Sequence, residues 1–223
     1  MMENSEQRAE VLRVVADAVP RSVAGEPVLV AVDGVDGAGK SVFGDQFAEV
    51  LRDAGHSVIR ASVDDFHRPR EHRYCRGRES PSGFWLDSFD YDRLRAELLD
   101  PLSPGGSGRY RTAVHEFATD RHLDEPWQSA TRGAVLVLDG LFLHRDELRA
   151  YWDLSVFLAV PFAVTARRMA ERDGTPADPD HPKLRRYVGA QRMYFESSRP
   201  LERADVVIDN SHWAEPVIIR RPE

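Results

Sequence analysis

Residues 28–41 read VLVAVDGVDGAGKS, and this stretch decides the fold. Its first half alternates branched apolar residues with small ones, the mark of a short buried strand. Then Gly34, Gly37 and Gly39 fall close together, and the run ends in Lys40-Ser41. Residues 34–41 satisfy G-x-x-x-x-G-K-[ST] at every fixed position, with a strand pattern before and a helix pattern after. The reason for this residue choice is anion binding. Glycines let the backbone curl so that successive N–H groups point inward. The helix that follows adds its positive N-terminal end. Lys40 can reach outer phosphates, and the Ser41 hydroxyl can ligate Mg²⁺. The pattern predicts a nucleoside triphosphate, ATP, held by Gly34, Asp36, Gly37, Ala38, Gly39, Lys40, Ser41 and Val42. A glycine-rich turn with a chance lysine is the alternative, and the full match in this context counts against it.

Outward from this stretch, short β-branched runs alternate with helical ones. Helices are expected over 5–19, 41–54, 90–99, 161–173 and 183–198. Strands are expected over 27–33, 56–63, 134–138, 154–160 and 204–209, and EPVIIRR near the end is a candidate sixth. This alternation predicts an α/β fold: a central, mostly parallel sheet of about five strands with helices on both faces. Residues 67–89 are irregular and rich in Arg, His, Gly and Pro. PLSPGGSG (101–108) and GTPADPDHP (174–182) read as loops. One domain is expected, with a core of about 20–66 and 131–215, an acceptor-binding lobe of about 67–130 and a lid of about 167–186.

The chain has 223 residues, 42% apolar and 30% charged, which is enough to bury a core. No apolar run approaches the ~18 residues of a membrane helix. The opening MMENSEQRAE is polar and acidic, unlike a signal peptide. A net charge of −7 argues against a nucleic-acid partner. The single cysteine, Cys75, allows no intrachain disulfide and suits a reducing cytoplasm. Oligomeric state, including a homo-oligomer, is left open.

A triphosphate loop alone names no reaction. The sequence carries neither N-K-x-D nor LSGGQ. Phosphoryl transfer to a small acceptor needs a base, a Mg²⁺-organising carboxylate and cations for the migrating group. Asp64, in Asp64-Asp65-Phe66-His67, follows the second strand, where ligands of open parallel sheets bind. It is the candidate base and a second candidate metal ligand, with helix capping as the plain alternative. Asp139 ends the third strand as the metal-organising carboxylate, or as an ordinary turn residue before Gly140. Arg167, Arg168 and Arg172 share one helix beside a flexible loop. They are candidates for charge neutralisation, or a solvated face paired with Glu171 and Asp173.

Together these residues resemble the uridine kinase family of P-loop kinases, with phosphoribulokinase and bacterial pantothenate kinase as relatives. The likeness spans roughly residues 27–210. It rests on the P-loop, the Asp-x-Phe-[aromatic] step at Asp64, the strand ending at Asp139-Gly140, the Arg-Arg helix with Arg172-Asp173, and the closing ADVVIDN. The resemblance implies that Asp64 takes the proton of a nucleoside 5′-hydroxyl. It implies that Tyr110 and His115, five apart, contact the nucleobase, and that Asp87 or Asp90 holds ribose hydroxyls. The chain departs from the family at three places. His67 stands where Tyr is usual, Arg186 where a nucleoside-binding Gln is usual, and 174–182 lacks an ERGRD-like run.

These readings converge on an ATP- and Mg²⁺-dependent kinase for a small-molecule acceptor, a nucleoside first, uridine or cytidine. A same-fold kinase for a sugar or pantothenate-like alcohol is the nearest rival, and the basic segment 68–78 would suit an acidic acceptor. An ATP-binding regulatory protein that phosphorylates nothing is the rival from another class.

Overall fold

The computed structural model describes residues 5–221; residues 1–4, the start of the polar opening, lie outside them. A six-stranded sheet forms the centre of the chain. Its strands are β1 (Val28–Gly34), β2 (Val58–Ser62), β3 (Val135–Gly140), β4 (Leu154–Ala159), β5 (Val206–Asp209) and β6 (Val217–Arg220), in the order β6-β5-β4-β1-β3-β2. The first five run parallel, and β6 pairs antiparallel with β5. The sheet thus gains an edge strand beyond the five expected, because Val217–Arg220 alternates well enough to add to β5.

The main helices are α1 (Glu6–Asp17), α2 (Lys40–Asp53), α3 (Pro81–Asp87), α4 (Phe162–Asp173) and α5 (Arg185–Ser198). Alternation along β1 splits the core between two faces. Val28, Val30 and Val32 pack with Leu12 of α1 and Phe43 and Phe47 of α2. Leu29 and Ala31 pack with Leu136, Leu138, Phe142 and Tyr194 on the other side. Burial of both faces explains why β1 and β3 carry almost no polar residues until their carboxyl ends. Among the described residues no helix is long and apolar enough to cross a membrane.

The segment 67–130 carries short helical turns and two small antiparallel ladders, Arg109–Tyr110 with Gln128–Ser129 and His115–Glu116 with Arg121–His122. Phe84, Phe89, Leu94, Leu98 and Tyr110 join the same apolar cluster as Leu136 and Leu138. This segment is therefore laid on the sheet and shares its core. Around the loop after α4, Ala166, Leu184 and Val188 form a small cluster of their own.

One glycine decides how the site closes. A Cβ on Gly140, at the end of β3, would overlap the Val63 side chain. Its absence lets the turn Val63–Phe66 press against β3, next to Asp139. Gly140→Ala is expected to destabilise the fold by about 1–3 kcal/mol, the usual cost of overpacking. A thermal melt should then fall by roughly 2–4 °C per kcal/mol for a chain of this size. An unchanged midpoint would show that Val63 yields without cost.

Candidate active site

The phosphate loop follows from β1 feeding α2. Gly39 precedes α2 with φ 90° and offers no capping side chain, so the first amides of the helix remain free for an anion. A Cβ there would lie 3.1 Å from Asn210 Nδ2, so the loop needs glycine for space as well as for conformation. The Ala38 amide donates to the Val35 carbonyl at 3.1 Å. Lys40 Nζ folds back and donates to the same carbonyl at 3.0 Å. Val42 is exposed on the first turn of α2.

The loop is braced from distant parts of the chain. Asn210, the last residue of ADVVIDN, donates to the Ala38 carbonyl at 2.7 Å. Its Oδ1 accepts from Arg8 Nη1 at 3.2 Å. Arg8 is fully buried, lies 3.8 Å from the Trp213 ring centre, and has its pKa lowered to about 10, first by burial and then by Arg168. Arg168 donates to the carbonyls of Asn210 at 2.8 Å, Ser211 at 2.9 Å and Gly37 at 3.4 Å. Beneath the loop, the Gly34 amide donates to Asp33 Oδ1 at 2.6 Å. Asp33 Oδ2 accepts from His144 Nδ1 at 2.7 Å, from the His144 amide at 3.2 Å and from the Tyr194 hydroxyl. Burial, then the Asp33 charge, pushes the Tyr194 phenol well above its ordinary pKa.

Strand register gathers the carboxylates. Asp139 pairs with Val32 on one side and Ser62 on the other, which sets it at the mouth of the loop. It is 1% exposed; its Oδ2 accepts from Ser41 Oγ at 2.8 Å and its Oδ1 pairs with Arg60 Nη1 at 2.8 Å. Ser62 accepts from the Asp64 amide at 3.3 Å and donates to the Asp139 carbonyl at 3.4 Å, tying the two strand ends together. The Asp64 side chain is exposed. Burial, then the charges of Asp64 and Asp139, raises the Asp65 carboxyl to about 6, against the pull of Arg60.

Ser41 and Asp139 form an all-oxygen donor pair, and among the described residues no three His, Cys, Asp or Glu side chains form a metal cage. That set fits Mg²⁺, which keeps several waters and takes one or two protein oxygens plus phosphate.

Beside the loop lies a cavity of about 310 Å³. Asp36 and Asp64 both line it, so the carboxylate of Asp36, expected on the nucleotide side, lines the neighbouring chamber. Aromatic rings wall it: Phe84, Phe89, Phe117 and Tyr187, with His67 4.5 Å from Phe89 and 4.6 Å from Phe117 between ring centres. His67 Nδ1 donates to the Asp64 carbonyl at 2.7 Å, and burial lowers its pKa. Arg186 donates to the carbonyls of Arg73 at 2.7 Å and of Gly77 and Ser80 at 3.3 Å. It thereby pins 73–80 against α5. Arg73 pairs with Asp120 at 2.9 Å and stacks 4.3 Å from the Phe117 ring centre.

Several residues singled out in the sequence are not among those lining this cavity. Tyr110 is buried with its hydroxyl on Gln128 at 3.3 Å, and His115 is buried 3.3 Å from Asp120; neither lines the cavity. Asp87 pairs with Arg76 at 2.7 Å. Asp90 caps the turn Tyr91–Leu94 by accepting from the Arg93 amide at 3.1 Å. Arg167 is exposed and turns back to the Ala163 carbonyl at 3.2 Å. Arg172 pairs with Asp173 at 2.7 Å; burial raises the Asp36 carboxyl above its ordinary pKa, against the pull of Lys40 and, less strongly, of Arg172. No pattern in the sequence marks Gln191, which grips Asp36, or His144 and Tyr194 under Asp33. The one signal that could have found the last two is the acid at position 33, near the end of an otherwise apolar strand, which needs a buried partner.

Fold and site together define a P-loop kinase. Residues 29–177 match the Phosphoribulokinase / Uridine kinase family, and the chain belongs to that family. A possible uridine kinase from Bacillus stearothermophilus superposes with a TM-score of 0.70 at 22% identity, covering 89% of this chain and 97% of that one. A protein assigned as a fructose transport system kinase from Silicibacter sp. TM1040 gives 0.67 at 22% identity, over 85% and 94%. Phosphoribulokinase from Rhodobacter spheroides gives 0.56 at 16% identity, over 90% and 77%. At these identities the likeness is one of fold. A search of curated proteins by sequence finds no match.

Proposed function

We propose that this kinase transfers the γ-phosphoryl group of ATP to the 5′-hydroxyl of a nucleoside, uridine or cytidine, giving the monophosphate. The observation that carries this reading is one cavity, walled by aromatic rings, that the carboxylates of Asp36 and Asp64 both line beside the phosphate loop. Aromatic walls suit a flat heterocycle. Asp64 is exposed to the cavity's mouth and accepts the acceptor's hydroxyl proton. Lys40 leaves the Val35 carbonyl to reach the outer phosphates. Ser41 and Asp139 would hold Mg²⁺, which when bound neutralises phosphate charge. Arg172, near Asp36, serves the charge of the migrating group, while Arg168 keeps the loop in shape. The lid of about 167–186, with its arginine helix, closes over the phosphates and excludes water, which limits hydrolysis of ATP.

A panel of nucleosides, sugars and small alcohols with ATP, read by product mass, tests this. Monophosphate formation from uridine or cytidine is expected. A second reading, an acceptor bearing an acidic group, draws on Arg73 and Arg186 in the cavity wall. Strong turnover only with a non-nucleoside would end the nucleoside reading. ATP binding with no acceptor-dependent ADP release over the whole panel would end the kinase reading itself.

A further inference from the structure

Asp36 is an odd residue for a loop that grips polyphosphate. A carboxylate repels phosphate, so its place needs another partner. Gln191 fixes its direction: Oε1 accepts from the Asp36 amide at 3.2 Å, and Nε2 donates to Asp36 Oδ2 at 2.8 Å. Gln191 is 2% exposed, so this reciprocal pair is built into the interior. Gln191 holds Oδ2 alone, no hydrogen bond among the described residues engages Oδ1, and Asp36 lines the acceptor cavity together with Asp64. Gln191 already shows the kind of partner this carboxylate takes, a neutral N–H donor at 2.8 Å, and a hydroxyl is another of that kind. Asp87 and Asp90, the acids that the family resemblance assigns to sugar hydroxyls, are engaged by Arg76 and by the Arg93 amide.

We infer that Asp36, oriented by Gln191, is a specificity-determining residue that accepts a hydrogen bond from a second hydroxyl of the acceptor, so the preferred acceptor is a polyol. This rests on the kinase reading above and assigns to the phosphate loop a task on the acceptor side. A hydroxyl donating to a carboxylate discriminates strongly, because an analogue lacking it leaves the charged group unpaired.

The test takes the acceptor that the wild-type protein turns over best and its singly deoxygenated forms. For uridine these are 2′-deoxyuridine and 3′-deoxyuridine. Steady-state kcat and KM are measured for wild type, Asp36→Asn and Gln191→Met, with thermal melts to confirm folding. The wild type is expected to lose about 10- to 100-fold in kcat/KM on one deoxy form, the range for a site built to bind a hydroxyl through a charged group. Asp36→Asn is expected to shrink that ratio to within a few-fold of one. Gln191→Met, which keeps the carboxylate and frees its direction, is expected to shrink it partway, mostly through KM. An undiminished ratio in Asp36→Asn, or an equal loss on every acceptor, would overturn the inference and leave the kinase reading standing. If Asp36→Asn does not fold, an undiminished ratio in Gln191→Met does the same. No turnover by wild type on any acceptor would overturn both.

Discussion

Asp64→Asn is expected to lower turnover by about 10²–10⁴, the usual size of a lost acid–base group. The fold is insulated from this change. The turn that carries Asp64 is held through its backbone: the amide donates to Ser62 Oγ, and the carbonyl meets His67 Nδ1. Asn preserves the shape and removes only the ability to take a proton at the cavity. ATP binding, followed by titration, is expected to persist, because Lys40, Ser41 and the free amides of α2 are untouched. Acceptor-dependent ADP release is expected to collapse. Near-normal release would remove Asp64 from the role and shift attention to Asp65, whose carboxyl is raised to about 6 by burial and by its acidic neighbours.

The second large effect concerns stability. Asp33→Ala removes a fully buried carboxylate that accepts from the Gly34 amide, the His144 ring and amide, and the Tyr194 hydroxyl. The His144 amide keeps the Tyr194 hydroxyl at 3.0 Å, while the Gly34 amide, the His144 ring and the Tyr194 hydroxyl lose their buried acceptor. Breaking a buried charged network from one side costs about 3–5 kcal/mol. At roughly 2–4 °C per kcal/mol, the melting midpoint is expected to fall by on the order of 10 °C. Because Gly34 begins the phosphate loop, nucleotide affinity should fall as well. A midpoint within a degree or two of wild type would mean that the site relaxes to rehydrate its donors.

What the sequence disclosed was local. The strand, glycine turn and helix of residues 28–53 are contiguous, so their pattern could be read directly. Asp139 was legible because a buried run ends on it, and the sheet register then sets it against Ser41. The contacts that could not be read join distant positions. Gln191 meets Asp36 across 155 positions, and His144 meets Asp33 across 111. No periodicity encodes such pairs. Tyr110 and His115 keep a suggestive spacing, yet spacing says nothing about which way two short ladders turn their side chains. One faces Gln128 and the other Asp120. Arg168 shows the same gap: a cation on a helix is visible in the sequence, while the three carbonyls it holds are not.

The brace on the phosphate loop couples Arg8 to Asn210, 202 positions apart. During synthesis, β1 and α2 leave the ribosome long before residue 210 does. A nascent chain can thus form the strand and the turn while the clasp behind them is still missing. The shape of the glycine turn therefore waits on a residue synthesised 172 positions after Ala38.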